Sequence, residues 1–559
     1  MTTEKQCEPY FNLLDESWIL VRNLQGDIEE LSLLEVFRRA HELEGLAGES
    51  PTQDIAILRL LLAILYAVFT RSDATGKAAL LVGFPKVEQK DEALRRWKAL
   101  WDGETLPLEP IRQYLEFYRD RFWLIHPDKP FYQVNGLKKA TEYPAAKLIG
   151  NLAESNNKPR QFSMRSGEQK TYLKASEATR WLLHLNGFDD TSSKPSVRGA
   201  GLPSVGAGWL GKLGLVQVVG KSLRETLLLN LVLLNYDNYA AFPEQDAYWE
   251  LEDIRTDERI AIPQPGGPLP ILTVQSRRIE LIWDQDQISG YRLIGGDYFE
   301  KENCFAEQMT LWRKDQKAKF LQYVPKRHNA ERQMWRDFAS LLVSGEGHKR
   351  AGVVEWLTLL RDETDKTGES YLKESAVWFA ITGIKYGDKD FYVDDIIFDT
   401  LGINAGLLNS FSSDWINRIL DELEKTESCI WAFANFATDL ARASGSMGDN
   451  KSKDVEGVRA TARMQAYHSL DSDFREWLLG IDPSKRDLDD QMRCWQDVVR
   501  KTITALGEDL VIDCAETTLV GRMSPDGTWT AKPAPVAWMQ FRRKINEILK
   551  SAREEDNDE

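Results

Sequence analysis

Apolar residues recur along this chain with two periods, and the change from one to the other gives the first outline of its architecture. Near the start, Trp18, Ile19, Leu20 and Val21 form a short apolar run that predicts a strand. Gln25, Gly26 and Asp27 mark a turn after it, and residues 32–42 read as a helix. A stronger helix runs from Thr52, its expected N-cap, to Phe69. Its apolar run over 55–69, interrupted by Arg59, is shorter than the roughly 20 residues a membrane span needs, so a buried helix is expected. Further helices are expected over 91–101 and 109–122, and strands over 278–284 and 290–294.

After residue 401 the period is helical almost throughout. Trp415, Ile416, Ile419, Leu420 and Leu423 mark one stretch, and Ile430, Trp431, Phe433, Phe436 and Leu440 a second. Met492, Trp495, Val498, Val499, Ile503 and Leu506 mark another, before a loop over 521–535 and a last helix through Trp538, Phe541, Ile545 and Ile548. Spacings of three and four put each set on one face, as antiparallel bundle helices require. The fold class expected is α+β: a mixed α/β domain over 1–400, then a helical bundle over 401–559 with an acidic tail.

Composition narrows the functional classes. A net charge of −16 over 559 residues argues against sequence-indifferent nucleic-acid binding, so any phosphate contact must come from local basic patches. The 18 tryptophans suit core and interface anchoring. Five dispersed cysteines, with no CxxC pair, suit neither a disulfide framework nor a zinc site, and a reducing cytoplasm is the expected location. The first residues lack a basic segment followed by an apolar one, so no secretory leader is expected. Six histidines are scattered without HxH or HExxH spacing, and neither a phosphate loop nor a GxSxG elbow occurs. The acid doublets Asp189-Asp190, Asp394-Asp395 and Asp489-Asp490 read as solvated surface. No nucleophile, metal or cofactor is implied, which favours binding over catalysis. A metal-dependent nuclease using scattered acids is the alternative.

Three local patches meet the demand for positive charge. Residues 155–176 carry Lys158, Arg160, Arg165, Lys170 and Lys174 against Glu168, interleaved with Phe162 and Tyr172. That pattern fits an ordinary surface loop and a flexible loop that orders on a nucleic-acid backbone equally well. Residues 191–224 contain no acid, five basic residues including Arg198 and Lys212, and seven glycines. Glycine admits close backbone approach and exposes N–H donors, although the spacing matches no nucleotide fingerprint. The third patch, 311–336, carries eight basic residues against Asp315 and Glu331, and fits a solvated helix face as well as a binding one.

Several motifs in order carry a resemblance that spans the chain. They are Phe11-Asn12-Leu13-Leu14-Asp15-Glu16-Ser17-Trp18, Gly45-Leu46-Ala47-Gly48, Pro51-Thr52-Gln53-Asp54, Pro130-Phe131-Tyr132-Gln133, and Leu223-Arg224-Glu225-Thr226-Leu227. Together they resemble the CasA family, the large subunit of the type I-E CRISPR Cascade complex. The resemblance implies a four-helix bundle at the C-terminal end and a non-catalytic role. Guide RNA reads sequence by pairing, while the protein reads a short PAM in target double-stranded DNA and promotes duplex opening. The implied partners are the crRNA 5′ handle, that DNA, other Cascade subunits and a recruited nuclease-helicase, with no membrane. The family's glycine loop resembles Gly199-Ala200-Gly201, and its mobile RNA-contacting loop resembles 162–176, with Phe162, Arg165, Lys170 and Lys174. Its wedge hairpin resembles Tyr386-Gly387-Asp388-Lys389-Asp390-Phe391, here without a glutamine at the tip. Its groove-probing lysine falls at Lys301. Arg198 and Lys212 are the expected phosphate contacts.

Overall fold

The computed structural model describes residues 8–137, 139–151, 165–191, 206–284, 287–345, 347–445, 453–484, 487–523 and 529–550. The chain divides into two compact units. The first comprises Met1–Met334, Ser340–Lys373 and Val377–Thr400, and the second Trp335–Ala339, Glu374–Ala376 and Leu401–Glu559.

The first unit opens with the strand Tyr10–Asn12, paired with Trp123–Ile125, and then Ile19–Asn23, Ile28–Leu31 and Leu43–Leu46 form one antiparallel sheet around the helix Leu33–Arg39. The strand Ile28–Leu31 escapes the sequence pattern because its centre is Glu29-Glu30. The Asn23 carboxamide oxygen makes the preceding turn by accepting the N–H groups of Gln25 and Asp27 at 3.0 and 2.9 Å.

The core helix is Pro51–Arg71. Its N-cap is Ser50, which accepts the Gln53 N–H at 3.3 Å, and not the expected Thr52. Proline suits the first helical position because an N–H there needs no partner, and this sets the cap one residue before it. Thr52 turns inward instead, 2.7 Å from the Ser50 hydroxyl and 3.1 Å from Nε2 of buried His184. By length and composition this helix could cross a membrane, but 94% of its most apolar window lies inside the protein. Buried Arg59 forks onto Glu307 with two bonds of 2.8 Å, so the charge that interrupts the apolar run is neutralised within the core.

Further helices of this unit include Lys86–Asp102, Leu108–Phe117, Gly352–Asp362 and Ala175–Phe188, and the last packs against Pro51–Arg71. Every residue of Ala175–Phe188 except Glu177 is buried. Two sheets lie beside these helices. One orders Arg277–Asp284, Gln287–Gly295 and Thr141–Pro144, and the other orders Val393–Asn404, Ala376–Tyr386 and Leu215–Val219.

The third basic patch is not a helix face: it contains the strands Trp312–Lys314 and Tyr323–Pro325. Its members also part company. Lys326 bonds Ser340 Oγ at 2.7 Å in the first unit, while the Arg336 guanidinium lies 3.5 Å from the Tyr467 ring centre in the second.

The second unit has four long helices, Ser413–Ser444, Lys453–Gly480, Leu488–Ile512 and Ala534–Ile548. The first packs on each of the other three. Two separate apolar stretches, 415–423 and 430–440, prove to be one continuous helix. Glu422, at the end of the first, and Thr426, between the two, are buried and take hydrogen bonds from Gln496 and Trp495, each at 2.9 Å. Phe436 stacks on Phe541 at 4.8 Å, and a Cβ at Gly507 would lie 2.6 Å from the Phe541 ring, so glycine permits this close helix approach. The expected loop at 521–535 contains strands Arg522–Met523 and Trp529–Ala531.

Candidate nucleic-acid interface

The helix Ala175–Phe188 runs directly into Asp189-Asp190, an acid doublet expected at the surface. Both are buried. The Asp189 carboxylate takes the Arg277 Nε–H at 2.5 Å, and Asp190 pairs with Lys147 at 2.7 Å. Burial is tolerable because each carboxylate has its own cation. Arg277 is almost wholly buried and spends its remaining donors on the carbonyls of Asp190 and Gly206, both at 3.0 Å, and on Tyr298 Oη at 2.7 Å. Nearby, the Gly208 N–H donates to Asp189 O at 2.9 Å. A Cβ on Gly208 would sit 2.4 Å from the Gly187 carbonyl oxygen, so this crossing requires glycine. One arginine therefore holds the chain both just before the acid-free window, at 189–190, and within it, at Gly206. Arg198, Gly199, Ala200 and Gly201 lie outside the described residues, as does Phe162.

The expected wedge residues form the turn of the hairpin between Ala376–Tyr386 and Val393–Asn404. The Tyr392 ring lies against Gly387, where a Cβ would fall 2.0 Å from it and displace the ring. Lys389 and Asp390 both have left-handed backbones, with φ of 52° and 60°. Such residues cost on the order of 1–3 kcal/mol each and persist where their surroundings hold them. Here Thr191 supplies two holds: its N–H donates to Asp390 O at 2.9 Å and its hydroxyl to Lys389 O at 2.7 Å. Arg327 adds a third, forking onto the Asp390 carboxylate at 3.0 and 2.9 Å. Beneath them the Tyr386 hydroxyl donates to Phe188 O at 2.7 Å. Asp388, Lys389, Phe391 and Tyr392 remain exposed, presenting one cation and two aromatic rings.

Lys212 ends the short turn Leu210–Lys212, with its amine 5.6 Å from the Tyr298 ring centre. Burial, and then the charges of Arg277, Lys301 and Arg327, push the amine down to about 8. The charges that act on this amine are thus mostly cationic, Arg277, exposed Lys301 and Arg327 against Glu302. A phosphate arriving there would favour the charged amine and raise its pKa, so binding should weaken as pH climbs through 8. DNA titrations of the assembled complex at pH 7 and pH 9 are expected to show this loss. Lys212→Met, which keeps the packing on Tyr298, should remove much of it and lower the salt slope by about 1.

Arg165, Lys170 and Lys174 stand in a different setting. Arg165 pairs with Glu49 and, at 3.2 Å, with Glu177. Lys170 lies in the short helix Glu168–Thr171, and the Lys174 N–H donates to Glu177 at 3.1 Å. The loop expected over 155–176 is thus held in its described part. Leu173 is buried and exchanges two 2.9 Å backbone bonds with Ile288, which ties the segment to a sheet.

Sequence reasoning did not single out Thr191 or Arg277 and passed over Arg327 as one of eight patch residues. An arginine opening an apolar strand and the threonine at the edge of an acid-free window were the available signals. His184 is another residue whose place only the fold reveals: burial pushes its imidazole down to about 3, so it is a neutral core group. Among the described residues, no cluster of three or more His, Cys, Asp or Glu is placed to hold a metal ion.

Fold and site together define a large two-unit α+β protein with a hairpin tip fastened to the residue that starts a glycine-rich window. The chain belongs to the CRISPR-associated protein Cse1 family, whose family model matches residues 12–506. It is 28% identical over 502 residues to the CRISPR-associated protein CasA/Cse1 of Thermus thermophilus, covering 88% of this chain and 90% of that one. The crystal structure of Thermobifida fusca Cse1 matches with a TM-score of 0.81 at 30% identity, over 98% of this chain and 99% of that one. A chain of a structure described as a CRISPR RNA-guided surveillance complex matches with a TM-score of 0.68 at 17% identity, over 96% and 99%.

Proposed function

We propose that this chain is the large, non-catalytic subunit of a type I-E Cascade, working in the cytoplasm. It reads the PAM of double-stranded target DNA, contacts the crRNA 5′ handle, promotes duplex opening, docks on the other subunits and helps recruit a nuclease-helicase. The observation that carries this reading is the fastening of the hairpin tip to Thr191, at the start of the acid-free window, and to Arg327, with Lys389 and Phe391 left exposed at the tip. An acidic protein that must approach DNA needs its positive charge concentrated, because phosphate contacts supply most sequence-independent affinity. Exposed Phe391 beside Lys389 suits a wedge that unstacks the first base step while the lysine meets a phosphate. Glycines at 199 and 201 would let the backbone approach a minor groove, whose degenerate pattern tolerates several PAMs. Family membership and the likeness to a surveillance-complex chain support assembly with a guide RNA.

Tagged chain, co-expressed with the other subunits and a repeat array, is expected to recover guide RNA of uniform length. The purified chain is expected to leave single- and double-stranded DNA intact with magnesium, manganese or zinc. Dose-dependent cleavage that survives repurification would establish the nuclease alternative instead.

A further inference from the structure

We infer that Thr191 is the positioning residue that sets the hairpin tip and fastens it to the start of the acid-free window. This rests on the reading of that tip as a DNA-opening wedge. Lys389 and Asp390 are consecutive non-glycine residues in the left-handed region, and such a turn has no intrinsic preference for its own shape. Its internal bonds, Asp390 N–H to Gly387 O at 2.9 Å and Phe391 N–H to Asp388 O at 3.1 Å, close the loop without fixing where it points. Thr191 fixes the direction. It is 9% exposed, and its two donors reach the carbonyls of both left-handed residues, orienting both peptide planes.

Those planes decide where the exposed side chains of Lys389 and Phe391 go. Thr191 itself cannot drift, because Asp189 and Asp190 just before it are locked to Arg277 and Lys147. Arg327 holds the same tip through the Asp390 side chain, in a pair about one-third exposed at both ends and therefore the weaker restraint in salt. The start of the window and the tip are thus joined through Thr191, and a duplex seated there would find the tip already aimed.

Thr191→Val keeps the shape and the N–H bond but removes the hydroxyl donor, while Thr191→Ser keeps the donor. In the isolated full chain, hydrogen exchange at the Asp390 and Phe391 amides is expected to accelerate about two- to tenfold in Thr191→Val, the scale of one lost hydrogen bond, and to stay near wild type in Thr191→Ser. Unchanged exchange in Thr191→Val overturns the inference.

The functional arm uses the assembled complex and a fluorescent base analogue beside the PAM. Thr191→Val is expected to slow duplex opening, and to add nothing once Phe391→Ala has removed the wedge ring. An undiminished effect in the Phe391→Ala background would mean that Thr191 acts elsewhere, and overturns the coupling. So would normal opening in Thr191→Val where Phe391→Ala slows it. If Phe391→Ala alone leaves opening untouched, the wedge reading fails, and the exchange measurement still decides whether Thr191 positions the tip.

Discussion

Replacing Arg277 with methionine is expected to cost the first unit about 3–5 kcal/mol, the usual result of leaving one member of a buried ion pair without its partner. Asp189 would then be a carboxylate almost wholly removed from water with its cation gone. The carbonyls of Asp190 and Gly206 and the Tyr298 hydroxyl would lose their donor as well. For a unit of this size such a loss corresponds to a fall of about 5 °C in the calorimetric transition. Adding Asp189→Asn should recover part of it, since a neutral amide is far cheaper to bury than a charge. A change under about 1 kcal/mol in Arg277→Met would show that Asp189 is held by something other than this arginine. The same variant removes the tie between Asp189-Asp190 and Gly206, so on the proposed reading the complex is expected to bind target duplex poorly even below its melting temperature.

Gly201→Asp is expected to reduce PAM-dependent binding by about 1–3 kcal/mol, roughly 5- to 150-fold, with little change in melting. Two effects add. On the proposed reading a side chain would stand between the backbone and the groove, and a carboxylate would face phosphates in a window that otherwise has no acid. Binding of the assembled complex to duplexes with good and bad PAMs, at two salt concentrations, reads the effect. If the good-to-bad ratio is unchanged while the protein melts normally, the window is a structural turn.

How much of this was legible in the chain depends on which force sets each element. Strands Arg277–Asp284 and Gln287–Gly295 and the helices Leu488–Ile512 and Ala534–Ile548 follow from apolar runs and periodicity, whereas Lys453–Gly480 has almost no amphipathic period and no apolar stretch marks it. The single helix Ser413–Ser444 was cut in two because Glu422 and Thr426 read as surface, while cross-helix hydrogen bonds make them interior. Ala175–Phe188 was unread for a similar reason: buried Arg180 and His184 interrupt its apolar pattern and take partners from distant chain, Trp18 O at 2.8 Å and Thr52 Oγ1 at 3.1 Å. The Asp189-Asp190 doublet failed the same way, since no local pattern announces a partner such as Arg277, 88 residues onward. At the candidate site, charge and glycine content exposed the window, while family resemblance supplied the hairpin. What joins them is tertiary: Thr191 meets Lys389 across 198 residues, a pairing that no spacing rule encodes.

The most direct measurement is binding of the guide-RNA complex, assembled with and without this chain, to target duplexes that differ only in the few base pairs flanking the protospacer. The expected result is discrimination of about tenfold or more between good and bad flanks when the chain is present, the scale of one base-specific contact, and its loss when the chain is left out. Equal discrimination by the complex lacking the chain, or equal binding to both duplexes by the complete complex, would contradict the assignment of PAM reading to this subunit.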